Sequence, residues 1–155
     1  MHYERYGRDS EDLRLLPLFI GYPDLIRGYT IGSFRASECA SGPAGSCEAF
    51  DRLLGSRMLI GNLELRFPLL RPFGVRDRMY GPVPIEVAFF ADAGVAWQKS
   101  DRPTFLGGNR QPVSSAGMTL RANVLGFAVA QMDVAYPFQR SGRGWVLGFS
   151  IAPGF

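Results

Sequence analysis

The chain has 155 residues, of which 46% are hydrophobic and 20% are charged, and its formal net charge is +3. This hydrophobic content excludes a disordered chain, and the length predicts one domain or part of one. The basic residues are scattered rather than grouped in a block, so nucleic acid is not expected as a partner. The 19 Gly, 11 Pro, 12 Phe, 6 Tyr and 2 Trp favour strands and turns over helices.

The first 57 residues differ in pattern from the rest of the chain. Residues 1–14 are charged and indicate the end of a strand, whereas residues 15–22 are apolar and interrupted by proline. Residues 36–49 are small, polar and typical of a loop. We therefore predict that residues 1–57 form a strand end followed by one long loop.

Two cysteines, Cys39 and Cys47, lie in the Gly- and Pro-rich part of this loop. Their spacing does not fit a CxxC redox or zinc motif, and the single histidine, His2, is far away in the sequence. The main hypothesis is a disulfide that closes an exposed loop in an oxidising compartment, at a gain of roughly 2–3 kcal/mol. Two free thiols and a metal site are the alternatives.

From Met58 onward, apolar side chains alternate with polar or small ones, which is the pattern of β-strands that bury or expose one face. Short connections between such strands predict an antiparallel meander in an all-β fold. The predicted strands are residues 58–68, 85–97, 114–124, 127–138 and 145–155.

The last predicted strand carries large apolar groups on one side only and ends on an aromatic residue. These groups are Trp145, Leu147, Phe149, Ile151, Pro153 and Phe155. Its length matches a tilted strand that crosses a bilayer, and the sequence offers no transmembrane helix. An outer-membrane barrel explains the pattern, because its outside faces lipid and its inside faces water.

Three charged residues suggest how the long loop is held. Arg27 lies in the loop, and Glu64 and Asp92 project from two neighbouring strands on their non-apolar side. A guanidinium can bridge two carboxylates through its fixed donors, so an ion cluster of these residues would hold the loop inside the barrel. Alternatively, Arg27 is a solvated loop residue, and the two carboxylates face water in the lumen.

The order of these motifs resembles the BamA/TamA-type outer-membrane barrels, also called bacterial surface antigens, over roughly residues 15–155. Ile26, Arg27, Gly28 and Tyr29 are similar to the Val-Arg-Gly-Phe/Tyr signature of that family's long loop. Further similar segments are residues 62–67, 90–97, 116–121 and 135–138, followed by a C-terminal aromatic signal at Phe149, Ile151 and Phe155. Pro153 departs from the family pattern and predicts a frayed last strand, because proline cannot donate to a ladder.

This resemblance implies the C-terminal segment of a bacterial outer-membrane barrel of about sixteen strands, with Arg27 contacting Glu64 and Asp92. It also implies a non-enzymatic function in the insertion of outer-membrane proteins or in the translocation of polypeptide or lipid. The implied partners are outer-membrane lipid, the remaining N-terminal strands of the parent chain and, as candidates, client barrel proteins. Because five strands cannot close a barrel and no export signal is recognisable, we expect a C-terminal part or a truncated gene product.

Two other classes of protein are weighed against this interpretation. A soluble β-sandwich or a lipocalin-like binding module would pack the apolar faces into a core. An enzyme is not expected, because the sequence has no Gly-x-Ser-x-Gly motif, phosphate loop or metal-ligand cluster, and Asp51, Asp92 and Asp133 lack a partner motif. No cofactor and no metal are therefore predicted.

Overall fold

The computed structural model describes residues 1–5, 16–39, 47–69, 85–124, 127–140 and 142–153. Helix is scarce in these ranges: one α-helix, α1 (Glu48–Asp51), and short 3-10 helices at Ile31–Ser33, Ala36–Glu38 and Thr104–Leu106. The strands are β1 (His2–Arg5), β2 (Leu18–Phe19), β3 (Leu54–Gly55), β4 (Arg57–Pro68), β5 (Ile85–Trp97), β6 (Val113–Val124), β7 (Ala128–Pro137) and β8 (Val146–Pro153).

Six of these strands form one antiparallel sheet in the order β1-β4-β5-β6-β7-β8, and β2 pairs with β3 separately. The strands from β4 to β8 follow each other in sequence and in space, so the predicted all-β antiparallel meander is confirmed. Their bounds differ from the predicted ones by one or two residues at most, and Phe155 lies outside the described residues. The division of the chain at residue 57 stays a prediction.

The pairing of the strands puts polar side chains into rows on one side of the sheet, the inner face. Asn62 of β4 pairs with Asp92 of β5, and Thr119 of β6 pairs with Asp133 of β7. Because side chains alternate along a strand, a shift of one residue would move the whole set to the other side. The charged side chains of Glu64, Arg66 and Arg121 belong to the same inner face.

The opposite side of the sheet, the outer face, is apolar and uncovered in the described part of the protein. Its exposed side chains include Leu63, Leu65, Phe67, Phe89, Met118, Met132, Tyr136, Leu147, Phe149 and Ile151. Such a continuous apolar surface is far larger than a water-soluble protein usually leaves open. No second sheet in the described ranges packs against it, so a β-sandwich is not supported.

Three connections leave the same end of the sheet, here called the loop end: residues 6–56 (the long loop), 98–112 and 138–145. The described part of the long loop packs its apolar side chains against the inner face at this end. The core contains Phe19, Ile20, Ile26, Tyr29 and Leu53 from the loop together with Met58, Ile60, Ala96 and Val113 from the sheet. Apolar side chains of the loop therefore cover the inner face at the loop end. The alternation alone predicted that this face carries polar or small residues that face water.

The outer face also differs from expectation at the loop end. By the alternation along β5, Val95 and Trp97 lie on the same side as the exposed Phe89, but both are buried. The ring of Trp97 lies 6.4 Å from the ring of Tyr3, which β1 contributes beside β4. The added strand β1 thus supplies neighbours that the pattern of β5 could not reveal.

Candidate loop-anchoring site

The segment that carries Arg27 enters the inner face through a tight turn. The backbone N–H of Ile26 donates to the carbonyl of Tyr22 at 3.0 Å, and the Ile26 side chain is fully buried beside Gly94. Burial of Ile26 on one side of Arg27 and of Tyr29 on the other fixes the direction in which the arginine points.

Gly28 is required by the geometry of this turn. Its φ is +88°, a conformation that residues with a Cβ rarely adopt. A Cβ built there would also lie 3.1 Å from the Cβ of Ala135 on β7. The backbone of the loop therefore approaches the inner face as closely as a glycine allows.

Arg27 is held mainly by Asp92. Its Nε donates to Oδ2 at 2.8 Å and its Nη2 donates to Oδ1 at 2.9 Å, so the guanidinium binds both carboxylate oxygens in a bidentate pair. The backbone N–H of Arg27 donates to the same Oδ2 at 3.2 Å. Both side chains are buried, with relative exposures of 7% and 0%, and buried charges of this kind are tolerated only when they are paired.

The remaining donors of Arg27 reach two further strands. Nη1 donates to Oε2 of Glu64 on β4 at 3.2 Å and to Oγ1 of Thr119 on β6 at 3.1 Å. The guanidinium carbon lies 3.6 Å from the ring centroid of Phe90, which adds a cation–π contact. One loop residue thus bonds to three adjacent strands.

The structure therefore brings Arg27, Glu64 and Asp92 together in one cluster. Burial alone would lower the pKa of Arg27, but the hydrogen bonds and charges of Asp92 and Glu64 outweigh it and raise the pKa above its ordinary value. The arginine is consequently a permanent cation. A permanently charged, fully engaged side chain can fix a segment in place, but it cannot transfer a proton.

Two further residues of the inner face, Asn62 and Arg121, belong to the cluster, although no role for them was predicted from the sequence. The Asn62 side-chain nitrogen donates to the Leu25 carbonyl at 2.7 Å and to Oδ1 of Asp92 at 2.9 Å. Arg121 donates to Glu64 at 2.7 Å. Their position on the polar side of the strands was the only signal available.

A second group of contacts holds the loop at the hairpin formed by residues 138–145. The Tyr29 hydroxyl donates to the Ser114 carbonyl at 3.0 Å and lies 3.0 Å from Oε1 of Gln139. Burial raises the pKa of Tyr29 to about 12, so the hydroxyl keeps its proton at neutral pH. The last residue of the Ile-Arg-Gly-Tyr motif thus has a bonding role separate from that of Arg27.

Arg140 is the centre of this second group, and sequence reasoning missed it because an arginine in a polar hairpin looks solvated. Its side chain is fully buried and binds the carboxylate of Glu38 at 2.8 and 2.9 Å. It also donates to the carbonyl oxygens of Gly28 at 2.7 Å and Ser33 at 2.8 Å. Its guanidinium carbon lies 4.0 Å from the ring centroid of Phe34.

Arg110, in the connection between β5 and β6, makes a third attachment to the long loop. It donates to the Leu54 carbonyl at 2.8 Å and to the Ala96 carbonyl at 3.0 Å. A salt bridge to Asp101 at 3.3 Å orients it. Like Arg140, it gave no sequence signal that would separate it from a solvated side chain.

Cys39 and Cys47 are joined by a disulfide, and α1 begins directly after it at Glu48. Phe149 and Ile151 lie on the exposed outer face of β8, and β8 ends at Pro153. Among the described residues, no group of three or more His, Cys, Asp or Glu lies close enough to hold a metal ion.

A cleft of about 300 Å³ lies beside Arg27, between the loop and the inner face of β7 and β8. Pro23, Gly28 and Thr30 line it on the loop side, and Asp133 and Ser150 line it on the sheet side. Residues 146–150 of β8, which is an edge of the described sheet, also line the cleft. It therefore adjoins backbone groups that β7 does not pair.

An antiparallel meander with an apolar outer face, and with a charged inner face that holds a loop, is typical of β-barrels that face lipid. In agreement, a family model described as the Omp85 superfamily domain matches residues 6–151. The chain belongs to the Omp85 superfamily. Members of this superfamily are outer-membrane proteins that generally insert or translocate other molecules and are not enzymes.

Comparison with curated proteins gives no significant match, and comparison with solved structures gives none either. Within the described ranges, no helix has the length and apolar character needed to cross a membrane.

Proposed function

We propose that this chain forms the C-terminal wall of a bacterial outer-membrane β-barrel and that the described part of the long loop folds back into its lumen. The whole protein would insert barrel proteins into the membrane, or move polypeptide or lipid across it, without catalysing a reaction. The observation that carries the proposal is the buried position of Arg27, which a loop contributes and which three strands bind. A loop that bonds to three adjacent strands on their inner face is expected inside a barrel that those strands help to form.

The outer face supports lipid as the first partner. Exposed residues such as Leu65, Phe89 and Phe149 form a hydrophobic surface that water solvates poorly. The charged side chains of Glu64, Arg66 and Arg121 point to the other side, where they would meet the aqueous lumen. This division is the arrangement that a barrel wall requires in a bilayer.

Further strands of the same parent protein are the second proposed partner. The described sheet has six strands with free edges at β1 and β8, and a closed barrel needs about eight or more. The family resemblance suggests about sixteen strands in total. We propose that the missing strands close the sheet between these two edges.

The proposed mechanism uses the edge at β8. An edge strand presents unpaired N–H and C=O groups and can accept a strand of another chain. Pro153 removes one donor from the end of β8, which would weaken pairing at a seam. A client barrel protein could then add its own strand there before it leaves into the membrane.

The test uses the full-length protein in bacteria and in lipid vesicles. Arg27→Ala and Asp92→Ala should each lower the amount in the outer membrane and make the loop sensitive to added protease. Purified protein should accelerate the folding of a small client barrel into vesicles, and both variants should be slower. Lys99→Ala, which changes an exposed side chain at the loop end, is the control. Unchanged loop protection in both variants would contradict the proposal.

A further inference from the structure

Two of the three groups of contacts that hold the long loop lie at different strands of the inner face. One group, around Arg27, involves β4, β5 and β6 through Glu64, Asp92 and Thr119. The other group, around Arg140, involves the hairpin between β7 and β8. The loop therefore lies across the inner face and connects β4, β5 and β6 with the hairpin that follows β7.

Arg140 makes the second group strong. Its side chain has no exposed surface, the side chain of Glu38 is only 6% exposed, and the two form a forked pair. Three of its other bonds go to the loop at Gly28 and Ser33. A buried arginine with this many partners cannot leave without exposing an unpaired carboxylate and several carbonyl oxygens.

The position of Arg140 in the chain links its contact with the loop to the edge strand β8. It follows β7 closely and precedes β8, whose first residue Val146 is buried while most of the strand is exposed. β8 pairs on one side only, with β7. At the loop end it is held further by the packing of the Trp145 ring against Tyr136 and by the hairpin whose Arg140 bonds to the loop.

We propose that Arg140 and Glu38 are positioning residues that fasten the edge strand β8 to the long loop, an inference that rests on the proposed function. Movement of β8 away from the inner face then requires release of the Arg140–Glu38 pair. The Arg27 cluster reaches β7 through the bonds of Thr119 to Asp133 and of Arg121 to Gln131, but its hydrogen bonds among the described residues do not extend to β8. These two attachments of the loop thus have different tasks: the Arg27 cluster fixes the position of the loop, and the Arg140–Glu38 pair restrains the edge.

Hydrogen exchange measured by mass spectrometry on the full-length protein in lipid nanodiscs tests this division. Arg140→Ala should speed exchange roughly tenfold in residues 31–38 and 146–150, and leave β4 to β6 unchanged. Glu38→Gln, which keeps the size of the side chain, should affect the same two segments to a smaller extent. Arg27→Ala should instead affect residues 25–28 and β5. Lys99→Ala is the matched control at the loop end.

Several results would overturn the inference. Unchanged exchange in residues 146–150 of Arg140→Ala, equal loss of protection across β4 to β6, or no effect of Glu38→Gln would each do so. Barrel formation is followed in the same samples by heat-dependent migration in gels. If the unmodified protein forms no barrel, the proposed function fails and this inference with it. If the barrel forms but Arg140→Ala leaves β8 unchanged, the inference alone fails.

Discussion

Arg27 and Asp92 are 65 residues apart in the chain, yet the guanidinium of one grips both oxygens of the other's carboxylate at 2.8 and 2.9 Å. The forked pair sets the angle of the arginine as well as its position. It thereby directs Nη1 toward Glu64 and Thr119 on the flanking strands.

The first prediction separates charge from geometry at this pair. Arg27→Lys keeps the charge but replaces the planar fork by a single point donor, which cannot hold both Asp92 oxygens and Glu64. We expect a loss of about 1–3 kcal/mol in the free energy of unfolding, against about 3–5 kcal/mol for Arg27→Ala, which leaves Asp92 buried without a partner. Urea titration of the full-length protein in detergent measures both. Equal stability of Arg27→Lys and the unmodified protein would exclude a role for the fork.

The second prediction concerns the turn at Gly28. Gly28→Ala places a Cβ at positive φ and 3.1 Å from Ala135, so we expect a loss of about 1–2 kcal/mol or more. Gly32→Ala is the matched control, because a Cβ there meets no atom within 4 Å. Protease sensitivity of the loop should rise in the first variant only. A neutral Gly28→Ala would show that the loop adjusts without strain.

The third prediction concerns pH. Burial alone raises the pKa of Glu38, but hydrogen bonds from Arg140 and from the backbone N–H of Arg35 outweigh it and hold the pKa below its ordinary value of 4.5. A lowered pKa means that the pair stabilises the loop fully above the ordinary value, and that this stability is lost as the pH falls through the lower one. Pepsin cleavage of the loop should therefore increase steeply only below about pH 4.5. In Glu38→Gln the loop should be cleaved already at higher pH.

The fourth prediction tests which side of β8 meets lipid. Phe149→Arg puts a charge on the exposed apolar face and should cost about 2–4 kcal/mol in folding into vesicles. Ser150→Arg, one residue along and on the inner face, should cost much less. The folded fraction is measured by heat-dependent migration in gels. Equal effects of the two substitutions would contradict the assignment of the faces.

The fifth prediction concerns the disulfide. The Cys39–Cys47 bond closes a short segment, so replacing both cysteines by serine should destabilise the loop locally by roughly 2–3 kcal/mol. The sheet should keep its stability, because no cysteine lies in it. Hydrogen exchange of residues 31–38 should therefore rise while exchange in β4 to β7 stays the same. A loss of stability in the whole sheet would show that the loop supports the wall.

Alternation of side chains predicted the strands from β4 to β8 well, because each strand has one apolar and one polar side. The same alternation placed Glu64 and Asp92 on one face and so made them available to Arg27. The resemblance to a known family then supplied the arginine as their partner. The strands, whose side chains alternate with a period of two, could thus be predicted from the sequence.

The contacts made by the irregular parts of the fold could not be predicted in this way. Arg110 and Arg140 lie in polar connections, and nothing local distinguishes them from solvated arginines; only the folded loop brings backbone carbonyl oxygens to them. Trp97 packs beside Tyr3 of β1, and a long loop separates β1 from β4 in the chain. Contacts of this kind are set by tertiary packing, which has no short-range period.

The inner side of β4 changes from apolar at Ile60, which is 1% exposed, to charged at Glu64 within four residues. In the proposed barrel, the lining of the bore would therefore change from apolar to charged over about four residues of β4. A polar solute entering from the charged end would keep its water shell up to the arginine cluster and would have to shed it to go further. Ion leakage through the resting protein would be limited by that dehydration step, independently of any narrowing of the bore.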